Sequence, residues 1–439
     1  MEKSIIYASD GQLGAPAMNE TCGHEVTLTY AWVVLTLLFL LMLCDYMSRL
    51  VLNAIFPMLK ADWALTDGQL GSLSGIIAIV VGTLTFPLAV LADRWGKVRS
   101  IVLMAVVWSL ATFGCALARN YNEMFLARIV IGVGEAAYGG VGAAILVTIF
   151  PRHLRASVSG IFAAGGPFGS FLGIMSGGML SSHLGWRGAF ASMAVFGLIL
   201  ALVFRVVVSE RKLGFPGHRT ESRKMGRTPL KTLFRRLFST RSLICAYAGN
   251  GIQLMVPAAL IAWLPSFLNR YYHLESGKAA VFASGLILVL AAGMVTCGVI
   301  SDYVARHVAI RTWTMSIIFA LGTCATLFAA FHMPVGIAQL TLIAVGAFLS
   351  QGPDGPSNVL VADLTQPDIR ASAITVKVLL KNLLGLAPGP ILVGLLADRF
   401  SLMSALGAIS LVGLLSATVL AIGQRSYLQD REYVEAARM

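Results

Sequence analysis

Apolar runs of about 20 residues recur along the whole chain, the length an α-helix needs to cross the hydrocarbon core of a membrane. They lie at approximately 30–58, 69–92, 100–118, 122–149, 156–181, 187–208, 242–268, 277–301, 311–331, 335–362, 371–397 and 402–423. Short polar stretches separate most of them, and residues 209–241 form one long exception. The pattern predicts an all-α integral membrane protein of twelve transmembrane helices, with no separate soluble domain of useful size. The expected organisation is a tail at 1–29, six spans within 30–208, a linker at 209–241, six spans within 242–423, and a second tail at 424–439.

Composition agrees. The 439 residues are 57% hydrophobic and 12% charged, with a mean hydropathy of +0.79. A water-soluble protein of this length has no way to hide so much apolar surface. The net charge of +12 raises the question of nucleic acid, but the basic residues fall in alternate loops, as in loops retained in the cytoplasm. The linker at 209–241 carries Arg211, Lys212, Arg219, Arg223, Lys224, Arg227, Lys231, Arg235, Arg236 and Arg241 against Glu210 and Glu221. Counting spans outward from it places both termini in the cytoplasm, and three other loops agree: Arg94, Lys97 and Arg99; Arg152 and Arg155; Arg306 and Arg311.

Within the linker, Leu230, Leu233, Phe234, Leu237 and Phe238 recur at helical spacing opposite Lys231, Arg235 and Arg236, which predicts an amphipathic helix on the inner leaflet. The six cysteines (Cys22, Cys44, Cys115, Cys245, Cys297 and Cys324) are scattered without a CxxC pair. They read as small buried hydrophobes, not as metal ligands or a disulfide framework. No metal or other cofactor is expected, and the chain is expected to act as a monomer.

The two halves repeat. "LRAS" at 154–157, before the fifth span, returns as "IRAS" at 369–372 before the eleventh. "ADRWGKVR" at 92–99, after the second span, has an echo in "SDYVARH" at 301–307 after the eighth. Repeated halves about a midplane site are the build of alternating-access carriers. At these residues the chain resembles the major facilitator superfamily over its whole length. The stretch Asp93-Arg94-Trp95-Gly96-Lys97-Val98-Arg99 is similar to the superfamily signature G-x-L-A-D-R-x-G-R-K, with Ala89 in place of the leading glycine.

That resemblance implies two pseudo-symmetric six-helix bundles around a central cavity. It also implies a cytoplasmic gate at Asp93, Arg94 and Lys97, with Arg155, Asp302 and Arg370 at the repeated positions. Asp93 would then pair with basic residues of a neighbouring helix when the carrier is open outward. "RIVIGVGEAAYGG" at 128–140 and "NLLGLAPGPILVGLLADR" at 382–399 look most like the bacterial spinster-like group. The Arg-to-Glu spacing of the fourth span is also similar to the anion:cation symporter group. Both groups place Asp and Arg side by side in the first helix, whereas here they are Asp45 and Arg49.

One motif misleads. Gly132-Val133-Gly134-Glu135-Ala136-Ala137 fits a dinucleotide fingerprint, but it lies inside an apolar helix and lacks the preceding strand. The glycines there suit close helix packing instead. Gly165, Gly166, Pro167, Gly169 and Gly173 likewise predict a close-packed, bendable fifth span.

A charge at mid-membrane costs about 2.5–3.5 kcal/mol even on the lenient insertion scale, so each one calls for a reason. The first span carries Asp45 with Arg49 one turn away, and the fourth carries Arg128 and Glu135 on one face. Asp45 and Glu135 are either structural partners of the arginines or carboxyls that take up and release a proton. Arginine is unsuited to that task because it stays charged.

The eleventh span carries Lys377 and Lys381 beside Asn382; counted from Ala371, the lysines lie about 9 and 15 Å into the membrane. The tenth span supplies Gln351, Asp354 and Asn358, and the seventh Asn250 and Gln253. One aspartate leaves a positive excess in this half, unless Lys377 snorkels to the cytoplasmic surface. Tyr46, Tyr138 and Trp263 are candidates for stacking on a ring, or for plain packing.

These residues predict a proton-coupled carrier that takes a small organic anion, a carboxylate, into a bacterial cell across its inner membrane. Glu135 and Asp45 would handle the proton. Arg49, Arg128, Lys377, Lys381, Asn382, Tyr138, Asn250, Gln253, Gln351 and Asp354 would line the substrate site. The alternative is an exporter or flipping carrier of a lysolipid or amphiphilic drug by proton antiport, as the spinster resemblance implies. A membrane-embedded enzyme has no HExxH, GxSxG or metal-ligand cluster to support it.

Overall fold

The apolar runs are helices, and several of them are broken. The computed structural model describes residues 27–210, 212–213, 235–305, 310–366 and 369–436. Residues 1–26 of the expected tail, Arg306, Arg211, Arg219 and the linker stretch up to Phe234 lie outside the described residues.

Ten helices among the described residues are long and apolar enough to cross a membrane. One of them, Arg155–Val207, is two spans joined at Gly185, whose φ of 68° lies in the left-handed region that a residue without Cβ adopts freely. Another span escapes that count because it is interrupted. Ile337–Ser350 and Asp354–Asp363 flank a turn at Gln351, Gly352 and Pro353. Resolving those two cases gives the twelve spans that the pattern predicts, six on each side of the basic linker.

The interruptions fall where hydropathy predicted continuous helices. The fourth span is Tyr121–Glu135 and Tyr138–Ile149, with a turn at Ala136 and Ala137. The seventh is Arg241–Gln253 and Met255–Tyr271, parted at Leu254. The eleventh passes from Arg370–Lys381 through a π-turn at Asn382–Leu386 to Pro388–Arg399. Backbone groups freed in this way are tolerated at membrane depth only where protein or water meets them, which marks the interior of the bundle.

Two expected boundaries shift. The last helix, Val412–Ala436, continues well past residue 423, with Tyr427 and Val434 buried. Asp430 accepts the Ser242 N–H at 2.8 Å and so caps the seventh span. In the linker, Leu237 is buried in the core of the second half and the Phe238 ring meets Tyr247 at 6.0 Å. The described end of the expected amphipathic stretch therefore docks on protein instead of lying on lipid, and Arg236 bonds Gln366 there.

Arg94, Lys97 and Arg99 mark one end of the bundle, the basic side; the other end is the far side. The halves touch most closely in the far half of their length. Gly71 lies against the Pro390 carbonyl with Ile391 Cα at 3.2 Å from its Cβ position, Gly75 against the Ala387 carbonyl, and Gly82 at 3.0 Å from Asn382 Cβ. Gly178 meets Ala280 in the same way. Beyond Gly82 the second span opens out: Leu70, Leu73 and Ile77 are buried, while Phe86, Val90 and Trp95 are exposed. The two bundles are thus sealed against each other on the far side of the central cavity, and the second span loses this contact towards the basic side.

Gly71→Ala is expected to wedge this seal, because its Cβ meets backbone that has no side-chain freedom to yield. Spin labels at Ala61 and Phe400 should report a new, longer distance population; an unchanged distance distribution would show that the seal tolerates the methyl group.

Candidate functional site

The charged side chains inside the bundle form two clusters, one in each half. In the first, Arg128 is fully buried, and its Nε donates to the Leu73 carbonyl at 3.1 Å while Nη2 donates to the Arg49 carbonyl at 3.0 Å. Nη1 has no partner among the described residues. This guanidinium ties the fourth span to the backbone of the first and second. It was expected to line the substrate site, and in this state it is closed to a solute.

Asp45 and Glu135 are both buried, and each lies in the field of the other and of Arg49. Asp45 Oδ1 and Glu135 Oε1 have no partner among the described residues. Glu135 closes the half-helix Tyr121–Glu135, so the break in the fourth span directly follows it. Arg49 is only partly buried and is the more accessible arginine.

The aromatic beside this cluster is Tyr46, which follows Asp45 and precedes Arg49 by about one turn of the first span. The fifth span holds its ring, with the Gly166 Cβ position 3.2 Å away. Tyr138, expected at the substrate site, belongs to the bundle core. Its ring is fully buried, 5.1 Å from Trp108, and its hydroxyl donates to the Leu38 carbonyl at 2.6 Å. Tyr138→Phe is therefore expected to cost about 1 kcal/mol of stability, read as a lower melting temperature, with substrate selectivity unchanged. Gly132 packs on Val80, and Gly134 approaches Trp108 N to 2.7 Å from its Cβ position, so the nucleotide-like glycines serve helix packing.

The second cluster centres on Asp354, at the start of the half-helix Asp354–Asp363. Its Oδ1 accepts from Lys381 Nζ at 2.7 Å, Asn250 Nδ2 at 3.1 Å and Lys377 Nζ at 3.3 Å. Lys377 also donates to Asn358 Oδ1 at 2.6 Å and to the Asp354 carbonyl at 3.1 Å. With its side chain 2% exposed, it does not snorkel; Lys381, at 22%, is the accessible lysine. Asn382 uses its amide nitrogen on the Val378 carbonyl at 2.9 Å, where the π-turn begins, and not on the cavity. Gln253 is buried with neither amide atom partnered among the described residues, and Gln351 ends the first half of the tenth span. The two clusters correspond within the repeat, since each half carries a carboxylate at the break of its fourth helix, Glu135 or Asp354.

The expected gate residues are at the basic side. Asp93 and Asp302 are exposed and form no ion pair among the described residues, and Arg94 is exposed. Arg155 donates from Nε to the Phe150 carbonyl at 3.1 Å, and Arg370 Nε is buried without a partner among the described residues. Lys97 opens the third span after Gly96, whose φ of 102° lies in the region that a residue without Cβ adopts freely.

Sequence reasoning missed the far-side latch. Asp67 accepts from Arg270 Nη2 at 2.6 Å, Arg270 Nη1 at 2.7 Å and Lys60 Nζ at 2.7 Å. The carboxylate of Asp398 in turn accepts the N–H groups of Asp67 at 2.7 Å and Gly68 at 2.8 Å, capping the second span from the opposite half. Trp263 strengthens the same seal, donating from Nε1 to the Pro390 carbonyl at 3.0 Å and packing on Phe56, and so has no ring free for stacking. Charges at span ends mark boundaries in a hydropathy pattern; the only local signal here was the capping box of Thr66 and Gln69 around Asp67.

A groove of about 90 Å³ between Leu88, Trp95, Leu103 and Val133 is lined almost wholly by apolar side chains.

The family model of the Major Facilitator Superfamily matches residues 38–387. The chain belongs to the major facilitator superfamily. It is a membrane transporter and not an enzyme. Among its superfamily relatives, a hexuronate transporter of Bacillus subtilis is 25% identical over 394 residues, covering 87% of this chain and 90% of that one. The human protein spinster homolog 1 is 24% identical over 426 residues, covering 90% of this chain and 80% of that one. In structure, a bacterial homologue of the human lysosomal transporter Spinster, in an inward-facing and unoccupied conformation, superposes with a TM-score of 0.83 at 22% identity. That superposition covers 92% of this chain and 99% of that one, and it establishes the superfamily fold.

Proposed function

We propose that the protein takes up a small organic anion, a carboxylate, together with protons, by alternating access across a bacterial inner membrane. In this reading the basic side and both termini face the cytoplasm, and the arrangement sealed at Asp67 is the inward-open state. The observation that carries the proposal is a pair of buried carboxyls, Asp45 and Glu135, beside Arg49, each with a buried oxygen that has no partner among the described residues. Two buried carboxyls in each other's field share a proton, and a cavity that opens alternately to each side lets the pair load and unload it.

Arg49 and Lys381 are the accessible cations, one in each half, and supply the attraction for the anion. Proton symport also offsets the anion's charge, whose entry against an inside-negative potential costs about 2.3 kcal/mol per charge per 100 mV. The Bacillus subtilis relative, named for a sugar acid, supports a carboxylate substrate.

A thermal-shift screen of the purified protein with glucuronate, lactate and benzoate, at mildly acidic and at neutral pH, tests the proposal. Stabilisation by a carboxylate, larger at acidic pH, is the expected result. Stabilisation by lysophosphatidylcholine alone would favour the second reading, an exporter or flipping carrier of amphiphiles working by proton antiport. The likeness to the spinster proteins supports that alternative.

A further inference from the structure

The two lysines of the eleventh span are one helical turn apart and share one acceptor, yet they are held very differently. Lys377 is buried and has three oxygen acceptors: Asp354 Oδ1, the Asp354 carbonyl and Asn358 Oδ1. Lys381 is partly exposed and has a single partner among the described residues, Asp354 Oδ1. Asp354 itself stays anchored if Lys381 leaves, because Asn250 and Lys377 still donate to the same oxygen. Two ammonium groups facing one carboxylate leave one positive charge unbalanced, and the lysine with fewer bonds is also the more exposed one.

We infer that Asp354 is a resident counter-ion which the transported anion displaces from Lys381. In the empty carrier Asp354 holds Lys381. A substrate carboxylate then takes its place on the Lys381 ammonium, while Lys377 and Asn250 keep Asp354 where it is. Asp354 is thus a specificity-determining residue that competes with substrate, weakens anion binding and returns to Lys381 when the anion departs. One released ammonium suits a single carboxylate group. Lys377 is a positioning residue for Asp354 and does not touch the anion. The inference rests on the anion-uptake reading, and it gives Asp354, Lys377 and Lys381 separate tasks within that site.

Labelling of the full-length protein with a water-soluble amine-acetylating reagent, read by peptide mass spectrometry, tests it without need of a substrate. Lys381 should label slowly in the wild type, about tenfold faster in Asp354→Asn, and slowly again in Asp354→Glu, with Lys377 unlabelled in all three. Glucuronate should then protect Lys381 at about tenfold lower concentration in Asp354→Asn than in the wild type.

Equal Lys381 labelling in the wild type and Asp354→Asn would overturn the inference whether or not the carrier takes anions. Faster labelling without glucuronate protection in either protein would overturn it too. Glucuronate accumulation by the wild type then decides whether the uptake reading survives alone. If Asp354→Asn does not fold, the wild type still decides: saturating glucuronate must change labelling at Lys381 and leave Lys377 untouched, and no change at Lys381 refutes displacement.

Discussion

Glu135→Gln is expected to abolish uphill accumulation of substrate in proteoliposomes carrying a pH gradient, while counterflow exchange without a gradient continues. The amide has nearly the shape of the carboxyl, so the fourth span should keep its break and its packing. What it loses is the ability to accept and release a proton. Asp45 then has no second carboxyl with which to share the proton, and Arg49 and Arg128 stay charged. Asp45→Asn is expected to impair coupling in the same direction. If Glu135→Gln accumulates substrate like the wild type, proton handling does not depend on this pair.

The second large effect concerns the far-side latch. Asp67→Asn removes the charge that Arg270 grips with two bonds and Lys60 with a third, although Asp398 can still cap the second span. Asp67 is almost fully buried (3% side-chain exposure) while Arg270 and Lys60 are partly exposed (27% and 40%). The loss should therefore fall short of the about 3–5 kcal/mol of a fully buried broken pair. Even about 1.4 kcal/mol raises the far-open population tenfold. Spin labels at Ala61 and Phe400 should show that population, and transport should fall because the carrier dwells in one state. Lys60→Ala, removing the most exposed partner, should shift the distances less. Identical distance distributions for wild type and Asp67→Asn would mean that the glycine contacts, not the ion pairs, hold the seal.

The residues that reveal themselves in sequence are those whose cost in a membrane is local. Asp45, Glu135, Lys377 and Asp354 are conspicuous because each is a charge within an apolar run, and the structure gathers them into two interior clusters. Their partners are not local. Nothing in the sequence assigns Arg128 to the carbonyls of Leu73 and Arg49, because backbone acceptors carry no residue signature. Tyr138 and Asn382 look like cavity residues for the same reason; their polar atoms are taken by the carbonyls of Leu38 and Val378.

Helix breaks were hidden too. Ala136 and Ala137 are good helix formers, and only the tertiary setting turns the chain there. The latch was hidden because Asp67 and Asp398 lie 331 residues apart and each reads alone as a span boundary. The repeat of the halves, by contrast, was legible from four short motifs. It points to the correspondence of Glu135 and Asp354 once the breaks are seen.

The central claim is that a proton enters with the anion. A substrate gradient imposed on proteoliposomes at equal pH on both sides, with a pH-sensitive dye inside and the membrane potential clamped, measures this directly. Entry of the carboxylate should acidify the lumen in the wild type and leave it unchanged in Glu135→Gln. Substrate entry with no pH change, or with alkalinisation of the lumen, would contradict symport; alkalinisation would point to exchange against protons instead.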